Sequence, residues 1–179
     1  QASRAAPILP ELPMRKLEKL TIQNFKSIRD QTLKLAPLNV FIGANGSGKS
    51  NFVGAFQFLR GVVRKELQIQ TAKAGGADAL LHFGRKQSQY LKLDAEFAEG
   101  TCANGYSLAL IPTEEDRFAF SDETVWFHDR QTYSKPHDKW LGAGHDESHL
   151  TTSPHRISGF VRQDMGSYRI YHFHDTSDS

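Results

Sequence analysis

The sequence predicts an α/β fold: a strand, a glycine-rich loop and a helix, joined to an antiparallel sheet. Three observations carry that expectation. Residues 38–42, Leu-Asn-Val-Phe-Ile, are a short apolar run that reads as a buried strand. The octapeptide Gly43-Ala44-Asn45-Gly46-Ser47-Gly48-Lys49-Ser50 follows and fits G-x-x-x-x-G-K-[ST], the phosphate-binding loop. Beyond it Phe52, Phe56, Leu59, Val63 and Leu67 recur at three- and four-residue steps, the mark of an amphipathic helix.

The remaining elements follow in chain order. Lys16 to Phe25 places Leu17, Leu20, Ile22 and Phe25 in partial alternation and predicts a strand. Gln31 to Leu35 predicts a second, with Leu33 and Leu35 on one face, and Pro37 punctuates before the buried run. The helix is expected from about Lys49 into the sixties, with Gly61 a weak point that costs about 1 kcal/mol relative to alanine. Gly75-Gly76 ends that region. Tyr90 to Phe97 alternates strictly, Leu91, Leu93, Ala95 and Phe97 against Lys92, Asp94 and Glu96, and predicts a half-exposed strand. Asn104-Gly105 signals a hairpin turn before a strand over Tyr106–Ile111. Phe118–Phe120 and Thr124–Phe127 read as two short strands joined by a turn at Ser121-Asp122-Glu123. Residues 129–152 are polar and read as a long loop. Ser153-Pro154 reads as an N-cap followed by proline at the first helical position. Ile157, Phe160, Val161 and Met165 would form the buried stripe of that helix, and Gly166 its stop. Tyr168 to His174 reads as a closing strand.

The bulk numbers narrow the function classes. The 179 residues are enough for one domain with a real core. Net charge is +2, so no strong electrostatic case exists for nucleic acid or a membrane surface. The single cysteine, Cys102, allows no internal disulfide and points to a reducing, cytoplasmic compartment. No apolar run approaches transmembrane length. Residues 1–13 are Ala- and Pro-rich and read as a disordered leader or a remnant of an added segment ahead of Met14, leaving 14–179 as the folded unit.

The octapeptide has a physical rationale. Successive backbone N–H groups curled around a phosphate form a concave nest, and Gly43, Gly46 and Gly48 permit the angles and close approach it needs. A helix beginning near Lys49 adds unpaired N–H groups and the positive end of its dipole. Lys49 is expected to reach the β- and γ-phosphates, and the Ser50 hydroxyl to ligate Mg²⁺.

The residues Leu20-Thr21-Ile22-Gln23-Asn24-Phe25-Lys26-Ser27-Ile28, then Leu38 to Gly43, then Asn45-Gly46-Ser47-Gly48-Lys49-Ser50-Asn51 resemble the amino-terminal lobe of an ABC-type ATPase head. The branch is that of RecF, the structural-maintenance-of-chromosomes proteins and many bacterial predicted ATPases. Leu80-Leu81-His82-Phe83-Gly84-Arg85-Lys86 and Tyr171-His172-Phe173-His174-Asp175 are similar to segments of the last group. The resemblance implies a P-loop NTPase lobe I with an antiparallel β subdomain. It implies ATP and Mg²⁺ held by Gly43, Ala44, Asn45, Gly46, Ser47, Gly48, Lys49 and Ser50, with Lys49 the catalytic cation and Asn51 near the α-phosphate. Lys26, Ser27 and Arg29 match the segment that flanks base and sugar. It further implies that two heads of the full-length protein sandwich two ATP molecules, with DNA maintenance or phage defence as the setting and nucleic acid as a possible partner of the whole protein.

The family's signature motif and its Walker B segment, an apolar run ending in Asp-Glu, find no match here. Leu108 to Ile111 is followed by Pro112-Thr113-Glu114-Glu115, and Pro112 argues against a match. Gln163 is the nearest candidate for the γ-phosphate-sensing glutamine. The chain therefore reads as the first half of a longer ATPase, inactive by itself. A module that senses nucleotide without turnover is the alternative, and a small-molecule kinase fits the hairpin sheet poorly.

The other constellations have blander explanations. His145-Asp146-Glu147-Ser148-His149 superficially resembles a zinc protease motif, but the glutamate is one position late and Gly142 and Gly144 argue against a helix, so no metal is expected there. His172, His174 and Asp175 read as a strand end. Phe118, Phe120, Trp126, Phe127 and Tyr133 could stack on bases, but without a Lys/Arg stripe core packing is their expected fate.

Overall fold

The structure is a computed structural model and describes residues 15–44, 46 and 48–166. Ten elements follow in order: β1 (Lys16–Phe25), β2 (Ile28–Lys34), α1 (Lys49–Val63), α2 (Leu67–Lys73), α3 (Ala77–Leu80), β3 (Leu91–Glu99), β4 (Cys102–Pro112), β5 (Phe118–Asp129), β6 (His137–Gly142) and α4 (Arg156–Met165). The strands make one antiparallel sheet in the order β2-β1-β3-β4-β5-β6.

The alternation in β3 does what the sequence implies. Leu91, Leu93, Ala95 and Phe97 are buried, while Lys92, Asp94 and Glu96 stay half-exposed. In register beside them lie Leu110, Leu108, Tyr106 and Asn104 of β4. β1 adds Leu17, Leu20, Ile22 and Phe25. Onto this face α1 brings Phe52, Ala55, Phe56, Phe58, Leu59, Val62 and Val63, and α4 brings Ile157, Val161 and Met165, in one continuous core. Each fully buried Leu or Phe contributes about 1.5–3 kcal/mol of transfer free energy, which fixes the face that each element turns inward.

α4 is pinned by a polar contact as well. The Asp164 carboxylate accepts from the backbone N–H of Arg15 (2.9 Å) and from Asn104 Nδ2 (2.7 Å). The Arg15 guanidinium lies over the rings of Phe127 and Phe160. Burial pushes the Asp164 carboxyl above its ordinary range, opposed by these hydrogen bonds.

Several expectations are corrected. Residues 38–42 do not form a strand: Leu38, Val40 and Ile42 are 81, 73 and 89% exposed. A strand exists only through its ladder partners, and no described strand lies alongside this run. Asn104-Gly105 is not a turn but mid-β4, and the β3–β4 turn falls at Gly100-Thr101. Gly105 serves packing instead, since a Cβ there would lie 2.3 Å from the Trp126 indole. Phe118 to Phe127 is one strand. Ser121 is absorbed where the pairing shifts beside Ala109 and Leu110, with its hydroxyl on the Ala109 carbonyl, so no turn is needed. The polar stretch 129–152 contains β6, which among the described residues is an edge strand paired to β5. α4 begins two residues later than expected, capped by His155, whose ring accepts from the N–H of Ile157. The leader at 1–13 and the strand at 168–174 lie outside the described residues.

Of the aromatics weighed as base stackers, Phe118 and Phe120 are buried and Trp126 and Phe127 partly so, whereas Tyr133 is 46% exposed.

Candidate functional site: the glycine-rich loop

α1 starts without a side-chain cap. Its N-cap residue Gly48 sits at φ 91°, and no acidic residue occupies the first turn. That angle costs an L side chain roughly 1–2 kcal/mol, which explains glycine at the helix entry. A helix start with no side-chain cap and no acidic residue in its first turn is electropositive. The Lys49 ammonium folds over the loop, donating to the carbonyls of Gly43 and Ala44, the latter at 2.8 Å. Ser50 is exposed in the first turn, and its hydroxyl oxygen suits a hard cation such as Mg²⁺. Asn45 and Ser47 lie outside the described residues.

The structure brings part of the second predicted group to the same place. Asn51 Nδ2 donates to Ser27 Oγ (2.7 Å), tying the β1–β2 turn to the start of α1. Ser27 Oγ also lies 3.9 Å from where a Cβ on Gly48 would stand. Lys26 takes a left-handed φ of 49° and is held there from both sides. Its N–H donates to the Leu80 carbonyl (2.8 Å), and its carbonyl meets His82 Nδ1 at 2.7 Å. His82 N–H in turn donates to Asn24 O (3.1 Å), with Asn24 at φ 57°. The Lys26 ammonium lies 5.7 Å from the Phe25 ring centre.

Arg29 lines a cleft of about 460 Å³ with Asn24, Asp30, His82, Phe83 and Tyr90. It lies outside the Ser27–Asn51 contact. Gln163 is exposed on α4, among no other predicted site residue. The segment 80–82 that braces Lys26 was marked in the sequence by resemblance alone, and its bracing role was not, because a backbone carbonyl such as that of Leu80 is invisible to residue type.

Residues 15–135 match the AAA ATPase domain family. Chromosome segregation protein sudA of Emericella nidulans is 37% identical over 57% of this chain and 7% of its own length. Structural maintenance of chromosomes protein 1 of Schizosaccharomyces pombe is 26% identical over 92% of this chain and 15% of its own. DNA replication and repair protein RecF of Renibacterium salmoninarum is 34% identical over 40% of this chain and 17% of its own. The chain thus spans less than a fifth of the length of each of these relatives. A solved structure from work on ATP-driven dimerization and DNA-stimulated activation of SMC ATPases overlaps 84% of this chain and 80% of its own, at 18% identity and a TM-score of 0.46. No helix among the described residues is long and apolar enough to cross a membrane. With its glycine-rich loop inside a match that covers most of the folded residues, the chain belongs to the AAA ATPase domain family, as a P-loop-bearing amino-terminal lobe of the SMC/RecF-like kind.

Proposed function

We propose that this chain binds Mg·ATP at residues 43–51 and, within a longer protein, closes a head-to-head dimer that ATP hydrolysis reopens. The observation that carries the reading is the uncapped start of α1 behind Gly48, with the Lys49 ammonium over the loop carbonyls. In this reading Lys49 leaves Gly43 and Ala44 to meet the β- and γ-phosphates, where its charge is worth more. Gly43, Ala44, Asn45, Gly46, Ser47 and Gly48 supply backbone N–H groups, Ser50 holds Mg²⁺, and Asn51 and Ser27 form one polar wall. Lys26 and Arg29 flank base and sugar. The bound metal neutralises phosphate charge. The dimer, a role on DNA and a cytoplasmic setting rest on the likeness to SMC and RecF proteins.

The test is calorimetric titration of Mg·ATP, with Lys49→Ala as the control. Binding is expected in the wild type, with at least a tenfold loss in the variant. Equal affinity in both proteins would remove the P-loop from the explanation.

A further inference from the structure

A second cluster lies away from the loop. Glu123, in the middle of β5, is fully buried, and four polar groups contact its carboxylate. Tyr106 Oη (2.6 Å) and Ser148 Oγ (2.5 Å) donate to one oxygen. The other receives the N–H of His149 (2.9 Å) and faces His145 Nε2 at 2.8 Å. Phe120, His145 and His149 stack in sequence, with ring centres 4.4 and 3.9 Å apart. One carboxylate oxygen and one ring nitrogen from each histidine lie within 4.8 Å of one another.

We propose that Glu123, His145 and His149 form a binding site for a divalent transition-metal ion, with zinc the best fit to two imidazoles and a carboxylate. Three features support it. First, His149 Nδ1 meets the Leu141 carbonyl at 3.1 Å, the outer hydrogen bond that leaves Nε2 with its lone pair. Second, His145 Nδ1 is buried and has no hydrogen-bond partner. A proton moved there gives up the Nε2–H bond to Glu123, and a metal held between Nε2 and the carboxylate would replace that bond. Third, Tyr106, Ser148 and the His149 N–H already fix the carboxylate, as supporting groups do around metal ligands. Donors around a tetrahedral zinc stand about 3.4 Å apart, from Zn–N and Zn–O distances near 2.1 Å. His145 and Glu123 need to separate by about half an ångström, and the exposed His149 ring must turn out of the stack. Water would fill the remaining position.

The site has a structural reach. Glu147, between the two histidines, accepts from the N–H groups of Leu67 and Gln68 (3.0 Å each) and so caps α2 from a distance. A metal that fixes residues 145–149 would fix that cap, and binding to the folded state alone raises thermal stability by mass action.

The experiment uses the tag-free full chain, Zn²⁺ titrated by calorimetry and Co²⁺ followed by visible absorption. One equivalent is expected to bind, with tetrahedral cobalt bands and a rise in melting temperature. His149→Ala, at an exposed position, should keep the fold by circular dichroism and weaken binding at least tenfold. X-ray absorption of the zinc-loaded wild type provides a check that needs no variant, with imidazole scattering expected. No binding, unchanged affinity in His149→Ala, or a shell without imidazole would each overturn the proposal.

Discussion

Replacing Gly105 with alanine tests how the outer face of the sheet is built. Gly105 pairs with Trp126 across β4 and β5. An added Cβ would lie 2.3 Å from both Cε2 and Nε1 of the indole and 2.5 Å from Cζ2. Ordinary contact needs about 3.5–4 Å, so the ring must retreat by more than an ångström. The backbone poses no obstacle, because Gly105 is not among the positive-φ residues, and a compatible glycine-to-alanine change is itself worth about 0.4–1 kcal/mol through the unfolded state. Overpacking costs about 1–3 kcal/mol, and the rigid indole cannot bend aside as a flexible chain would. The net expectation is a destabilisation of about 1–2 kcal/mol, or a melting temperature lower by roughly 2–8 °C for a chain of this size. Urea denaturation of Gly105→Ala, Trp126→Ala and the double variant gives the coupling. In the Trp126→Ala background the alanine at 105 should become neutral or stabilising. A Gly105→Ala protein as stable as wild type, or an equal penalty in both backgrounds, would refute the packing argument.

Gly61→Ala provides the opposite case: the three atoms nearest its Cβ would all belong to the Gln70 side-chain amide, which can swing away, so a gain of up to about 1 kcal/mol in helix α1 is expected in the same denaturation assay. Glu147→Ala removes the remote cap of α2 and should cost about 1 kcal/mol, with Glu147→Gln losing less. Burial, and then the charge of Glu123, hold the Tyr106 hydroxyl well above its ordinary value. A group raised on folding contributes stability below its unfolded value, near pH 10, that is lost as pH climbs toward the folded value. Wild-type stability should therefore fall above pH 10 more steeply than that of Tyr106→Phe, whose cost at neutral pH is about 1–3 kcal/mol from a missing donor to Glu123. A matching pH slope in the two proteins would rule out Tyr106 as the source.

Legibility followed the physics of each signal. β1 and β3 could be read because one buried face stamps a period of two on Leu91, Leu93, Ala95 and Phe97. The residues of β6 are exposed or half-exposed, so its sequence carries no such stamp. Residues 38–42 show the reverse: composition proposed a strand, but pairing is a property of neighbours. Asn104-Gly105 misled because a glycine serves turns and close contacts alike. The loop at 43–50 was legible as a fixed string, whereas the contact of Asn51 with Ser27 joins residues 24 positions apart and shows only in the fold. The Glu123 cluster was hidden because three residues from β5 and a loop converge only after β5 runs straight through the expected turn.

The order of strands also has a kinetic side. β3, β4, β5 and β6 are neighbours both in the chain and in the sheet, so each ladder closes a short loop. β1 instead reaches β3 only after residues 26–90 have been laid out between them. The glycine-rich loop and α1 sit inside that long excursion, so the loop is tied to a pairing distant in the chain, whereas β3 to β6 pair with near neighbours. A ligand held at the proposed site would, if the β1–β3 ladder closes late, slow unfolding more than it speeds folding.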